Sequence, residues 1–280
     1  MERSTAMIAA LALVAGCGGG EADDDTYADE MAREHAGDRP VAAASADGET
    51  VDSVETTEVT FATVEGGDVT GYLAEPAGAS DSLPAVVVIH EWWGLNDNIR
   101  TMTRRLAGHG YAALAVDLYG GQVASTPDRA RELVGSVDEE AARENLRQAH
   151  AWLADRGSPR VASLGWCFGG GWSLQTALLL PDQLDAAVIY YGRPVTEADR
   201  LSALEMPVQG HFGSEDGSIP VSEVRAFEAA LDSAGVSNDI YVYRGAGHAF
   251  ANPSGERYEE EAARQAWART LDFLDRHLKR

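Results

Sequence analysis

Cysteine is nearly absent from the 280-residue chain, which carries Cys17 and Cys167 alone. That excludes a multi-disulfide scaffold and a zinc site built only from cysteines. Basic charge is scarce as well. Lys and Arg number 22 against 45 Asp and Glu, giving a formal net charge of −23, and Lys279 is the sole lysine. A surface of that sign repels phosphate backbones, so no nucleic-acid partner is expected. Bilayer-spanning apolar runs are missing at the front of the chain, where Met7–Val14 falls far short of the roughly 20 residues a membrane helix needs. Apolar residues as a class are plentiful, at 45%, which is enough to bury a sizeable core and excludes wholesale disorder. At roughly 150 residues per domain, the length fits one large domain or two small ones.

The stretch MIAALALV follows Arg3 and ends in Val14-Ala15-Gly16-Cys17. It matches a secretory apolar segment closed by small residues, and with Cys17 it resembles a bacterial lipobox. The resemblance implies that residues 1–16 are a lipoprotein signal peptide and that the Cys17 sulfur is diacylated. Two acyl chains would hold the protein stably on a membrane surface of the cell envelope, periplasmic or outer. An ordinary signal peptide with an incidental Cys17 is the alternative. Between Gly18 and Glu58 there are 13 acidic and 2 basic residues, so 13 − 2 accounts for 11 of the net negative charges. Residues 17–57 are therefore expected to be the lipidated cysteine and a disordered, self-repelling tether.

Residues 58–280 read as one α/β domain. VTFATV and VTGYLAEP alternate apolar and polar residues around Gly66-Gly67, which predicts an antiparallel hairpin. Short apolar runs follow at 85–90, 112–116, 161–165, 186–192, 207–213 and 240–245. Strands covered on both faces require such runs. Helical stretches are predicted at 97–109, 138–156, 169–180, 220–234 and 258–278, and in the second of these Ala142, Leu146, Ala149, Trp152 and Leu153 share one stripe. Strand and helix in alternation predict a mostly parallel, doubly wound sheet with helices on both faces.

The chemistry gathers at strand ends. Gly165-Trp166-Cys167-Phe168-Gly169-Gly170 joins a predicted strand to a predicted helix. G-x-S-x-G at such a junction is a nucleophile elbow, and here Cys167 takes the place of serine. The glycines permit a sharp bend that exposes the middle side chain. The Phe168 N–H, at the helix start, can donate to a developing oxyanion. Two other readings are a small buried hydrophobe at Cys167 and a phosphate cradle, although neither phosphate-binding glycine pattern is matched. An elbow calls for an acid and then a histidine after later strands. Strand 207–213 runs into Ser214-Glu215-Asp216-Gly217, and strand 240–245 into Ala246-Gly247-His248-Ala249-Phe250. His248 would take the thiol proton and Asp216 would hold its tautomer, with Glu215 as the rival acid. His35 falls in the tether, His109, His150 and His277 on helices, and His211 in a strand, all read as surface or packing residues. His90 ends an apolar strand and either lines the site or is hydrogen-bonded in the core.

Taken together, H-E-W-W-G (90–94), Asp117-Leu118-Tyr119, G-x-C-x-G-G (165–170), Y-Y-G (190–192), G-x-x-D (213–216), G-H-x-F (247–250) and T-L-D-F-L (270–274) resemble the dienelactone hydrolase family over residues 58–279. The resemblance implies an α/β-hydrolase fold with a Cys167, His248, Asp216 triad. It also implies hydrolysis of esters or lactones through a thioester, without metal or organic cofactor. It further implies that Glu91 pairs with the resting thiol and receives its proton when substrate binds. The backbone N–H of Trp92 then joins that of Phe168 in an oxyanion hole. A carboxylate at Glu91 is expected to push the thiol pKa up. H-E-W-W-G lacks the second histidine of a zinc helix, since Gly94 stands there, so no metal is expected.

Two positions depart from family members that cleave dienelactone, which hold the substrate carboxylate with one arginine after the D-L-Y strand and another past the catalytic histidine. Gly121 and Asn252 stand at those positions here. Each lost charged hydrogen bond costs about 1.5–3 kcal/mol, so neutral esters or lactones are the expected substrates. Arg193 and Arg244 are partial substitutes or simply surface charges. Trp93, Tyr119, Tyr191, Phe250 and Asn252 are expected to line the pocket. The expected partners are a small ester or lactone and, through Cys17, a membrane surface, with the chain a monomer or small homo-oligomer. Three alternatives stay open: an inactive ligand-binding lipoprotein on the same fold, a dienelactone hydrolase in the strict sense, and a redox protein using Cys167. The last lacks a C-x-x-C pair.

Overall fold

The structure, a computed structural model, describes residues 29, 31–33, 35–36, 53–64, 66–79 and 82–280. The signal peptide, Cys17 and most of the acidic stretch lie outside the described residues. One sheet holds β1 (Val54–Val64), β2 (Gly67–Pro76), β3 (Ala85–Ile89), β4 (Ala112–Val116), β5 (Val161–Trp166), β6 (Ala186–Tyr190), β7 (Val208–Gly213) and β8 (Asn238–Tyr243). Their order is β1-β2-β4-β3-β5-β6-β7-β8. Strands β3 to β8 run parallel, β1 and β2 form the antiparallel hairpin, and β2 pairs antiparallel with β4.

Helices α1 (Asp97–Gly108), α2 (Pro127–Gly135), α3 (Glu139–Asp155), α4 (Phe168–Leu179), α5 (Ala198–Leu201), α6 (Val221–Ala234) and α7 (Glu260–Leu278) connect and flank the strands. Side chains alternate between the sheet faces with a period of two. Along β3, Val86 and Val88 join one apolar cluster and Ala85, Val87 and Ile89 the other. The first cluster takes Ile99 and Leu106 from α1 and Phe273 and Leu274 from α7. The second takes Leu146 and Leu153 from α3, Leu174 from α4 and Phe227 from α6. Both faces are therefore covered, which is why the central strands carry uninterrupted apolar runs.

Three differences from the sequence reading have physical causes. Helix α2 was not expected, yet Thr126 caps it by accepting from Arg129 N at 3.3 Å, with Pro127 in its first turn. That pairing is a strong start signal. Strand β1 begins at Val54, ahead of the expected boundary at 58. Its first half is exposed Glu and Thr, which suits a sheet edge and hides the apolar alternation. The third difference falls in the expected tether. Residues 29 and 31–33 are helical, and His35 N donates to Met31 O at 2.9 Å. Met31 and His35, four apart and so on one helical face, are 1% and 2% exposed, while Asp29 pairs with Arg131. This part of the acidic stretch packs on the folded body.

Candidate active site

Every residue in question sits beyond the C-terminal end of a strand, where ligands bind open α/β sheets. Glu91 and Trp92 follow β3, Cys167 follows β5, Tyr191 follows β6, Asp216 follows β7 and His248 follows β8. Cys167 caps α4 with φ 55° and ψ −119°, outside the usual range for a side-chain-bearing residue. The bend needs glycine behind it: a Cβ on Gly165 would lie 2.0 Å from Gly169 O, and one on Gly169 would lie 2.3 Å from Ile89 O. Positive φ recurs at Tyr191 and Ala249, so the three strained non-glycine residues among the described residues all border this one site.

His248 Nδ1 donates to Asp216 Oδ2 at 2.8 Å, which leaves Nε2 for the sulfur. Asp216 Oδ1 accepts from Ser218 N at 2.9 Å and Ile219 N at 3.0 Å. Those two amides and the imidazole hold the Asp216 carboxyl below its ordinary range against the opposing effect of burial. Glu215, the rival acid, is exposed. Burial drives the Cys167 thiol up, but His248 and then His35 outweigh it and bring it down to about 6. Burial pulls His248 down, and the charges on Cys167 and Asp216 raise it to about 10. The favoured state is a thiolate beside an imidazolium, with the sulfur at the positive end of α4.

Glu91 differs from expectation. Burial first, and then the Cys167 charge, raise it to about 8, so it holds a proton at neutral pH. Asn252 is not a free pocket wall: its Nδ2 donates to Glu91 Oε2 at 2.6 Å, and its Oδ1 accepts from Ser254 N at 2.8 Å. Tyr191 OH reaches Glu91 Oε1 at 3.5 Å. Gly121 lies in an exposed turn whose N–H donates to Asp117. His90 has the core role: its Nε2 accepts from Leu118 N at 3.2 Å, so Nδ1 donates to Glu91 O at 2.6 Å. Trp93, Tyr119, Tyr191 and Phe250 are buried in the apolar cluster that also contains Cys167. Tyr119 OH donates to Trp92 O at 3.1 Å.

His35, read from sequence as a tether residue, is the functional-site neighbour that reading missed. Its ring lies 4.8 Å from that of Trp92 and 5.2 Å from that of His248. Ligand atoms of His35, Cys167 and His248 fall within 4.8 Å of one another. The spacing of Met31 and His35 was the available signal, masked by the acidic residues around them. The consequence is closure. Cys167 is 1% exposed, and cavities of about 470 and 310 Å³ border Phe168 and Trp166 without reaching the sulfur. Displacing the segment around Met31 should open the site. Met31→Asp should raise the alkylation rate of Cys167 by iodoacetamide roughly tenfold or more, read by peptide mass spectrometry; an unchanged rate would mean the segment is not the barrier.

The comparisons agree with this architecture. The model of the dienelactone hydrolase family matches residues 69–278. A Salmonella typhimurium protein provisionally named carboxymethylenebutenolidase is 32% identical over 241 residues, covering 80% of this chain and 89% of its own. A relative of the same provisional name from Saccharolobus solfataricus is 29% identical, covering 76% of this chain and 95% of its own. Among solved structures, a Klebsiella pneumoniae protein provisionally described as a dienelactone hydrolase superposes with a TM-score of 0.71 at 33% identity, covering 79% of this chain and 98% of its own. A dienelactone hydrolase-like promiscuous phosphotriesterase from metagenomic libraries gives 0.69 at 25% identity, covering 80% of this chain and 99% of its own. The chain belongs to the dienelactone hydrolase family.

Proposed function

We propose that the protein is a cysteine-nucleophile hydrolase of small ester or lactone bonds. The observation that carries this reading is the 2.8 Å bond from His248 to Asp216 behind a sulfur held at the strained bend. In the proposed cycle the Cys167 thiolate attacks the carbonyl carbon, and the oxyanion is held by the N–H groups of Trp92 and Phe168. The Phe168 N–H opens α4 and so has no intrahelical acceptor. Collapse breaks the bond to the alkoxide, which takes the proton from His248 and leaves a thioester. Neutral His248 then draws a proton from water as its oxygen attacks the thioester. Collapse releases the carboxylic acid product and restores the thiolate and imidazolium. Neutral Glu91, gripped by Asn252, adds no second negative charge beside the sulfur.

Closure of the site favours a second reading, a binder that never turns over. Turnover of p-nitrophenyl acetate separates the two. Cys167→Ala should lose at least roughly a thousandfold in kcat/KM, whereas equal rates would reject the hydrolase. The active pair exists above the thiol value and below the imidazole value. The kcat/KM profile should therefore rise through about pH 6 and fall toward about pH 10. A single ionisation near pH 8.5, the ordinary thiol value, would contradict the ion pair.

For substrate, neutral esters fit better than dienelactone. Asn252 is committed to Glu91 and Gly121 is an exposed turn, so neither offers a cation to a carboxylate, and Arg193 and Arg244 are exposed. On a panel of esters and lactones, kcat/KM for dienelactone should fall roughly a hundredfold below that for neutral aryl esters; parity would refute the preference. We also propose that a lipid on Cys17 holds the protein at a membrane surface, a reading supported by the apolar run ending in Val14-Ala15-Gly16-Cys17. Metabolic labelling with a fatty acid should mark the wild-type chain and not Cys17→Ser. Equal labelling of both would reject the anchor.

A further inference from the structure

The contact between His35 and the sulfur takes no part in the bond-making and proton transfers of the proposed hydrolysis, which run on Cys167, His248 and Asp216 with the N–H groups of Trp92 and Phe168. It brings a third metal-ligating side chain from outside the catalytic domain onto the nucleophile. Thiolate and imidazole suit zinc and its neighbours, with Zn–S about 2.3 Å and Zn–N about 2.0 Å. We propose that Cys167, His248 and His35 form a site for a divalent transition metal of the zinc type, whose occupancy is mutually exclusive with hydrolysis. This goes beyond the hydrolase reading and does not depend on it.

Two observations carry the assignment. The three ligand atoms already lie within 4.8 Å of one another and all three residues are buried. Tetrahedral coordination would set such atoms roughly 3.5 Å apart, so a contraction of about 1 Å completes the set. The outer support of a metal-bound histidine is also present. Metal-ligating imidazoles give their other N–H to a carboxylate, and His248 Nδ1 donates to Asp216 at 2.8 Å, itself fixed by two backbone amides. Sequence spacing concealed the set, since His35, Cys167 and His248 form no local motif.

Binding replaces the one proton shared by sulfur and imidazole. The metal–sulfur bond and two metal–nitrogen bonds form, and that proton leaves to solvent. Nucleophile and base are then both occupied, and a water or hydroxide completes the fourth position. A bound ion would also pin His35 over the site.

Cobalt(II) is a direct probe of such a site. The full chain, stripped with a chelator, should develop a sulfur-to-cobalt charge-transfer band and the intense visible bands of a four-coordinate ion, at one equivalent. Zinc should bleach both. Cys167→Ser should abolish the charge-transfer band. His35→Ala and the size-matched His35→Gln should each weaken cobalt affinity at least about tenfold, and His35→Cys, which keeps a ligand, should restore it. Zinc should inhibit ester turnover of the wild type with the same rank order across the His35 variants. No charge-transfer band in the wild type would overturn the site. So would unchanged affinity in either ligand-deleting variant whose circular dichroism matches wild type. The spectroscopic readout stands whether or not the protein hydrolyses esters, so failure of one reading is distinguishable from failure of the other.

Discussion

Negative charge on a sulfur removed from water is the constraint around which this molecule is organised. Burial alone would keep Cys167 protonated, and the site reverses that with two imidazoles and a helix N-terminus. Each compensation needs its own support. His248 is useful only if its ring is oriented, so Asp216 takes its Nδ1–H; Asp216 is useful only if it remains ionised, so Ser218 and Ile219 direct their amides at it. The hydrogen-bond chain thus runs outward from sulfur to backbone and ends on the start of the segment leading to α6. Removing any inner member strands the next one in a buried, unpaired state, which costs more than the bond was worth.

The sheet makes this possible because it is rigid where the site is strained. Cys167, Tyr191 and Ala249 all hold positive φ, at about 1–3 kcal/mol each. They follow β5, β6 and β8, whose positions are set by two apolar clusters on opposite faces. The crossing of backbone at the bend is close enough that Gly165 and Gly169 leave no room for a methyl group. Packing energy gathered across the whole domain is concentrated on a few atoms at one edge.

Much of this was legible in the sequence, for identifiable reasons. The central strands announce themselves as apolar runs because both faces are covered, and the bend because it demands glycine on either side of Cys167. Asp216 and His248 were legible because each lies directly past a run such as 207–213 or 240–245. Strand β1 was legible only from its second half, since its first half faces solvent with Glu and Thr. The state of Glu91 was out of reach: its raised carboxyl depends on burial and then on the charge at Cys167, a residue remote in sequence. His35 was obscured by composition. Averaged over the acidic stretch, the segment looks unable to fold, yet Met31 and His35, four apart, are both buried against the domain.

That seating changes how the acidic stretch and the catalytic edge relate. A nucleophilic sulfur open to solvent is exposed to oxidation as well as to substrate. Met31 and His35 are buried along with Cys167, and the His35 imidazole lies beside the sulfur. Among the described residues, the features that seat that segment include one surface ion pair, the buried Met31 and the His35 imidazole beside the sulfur. The same imidazole that lowers the thiol also occupies the ground above it. Reactivity of the sulfur and access to it are thus coupled through a single residue outside the α/β domain.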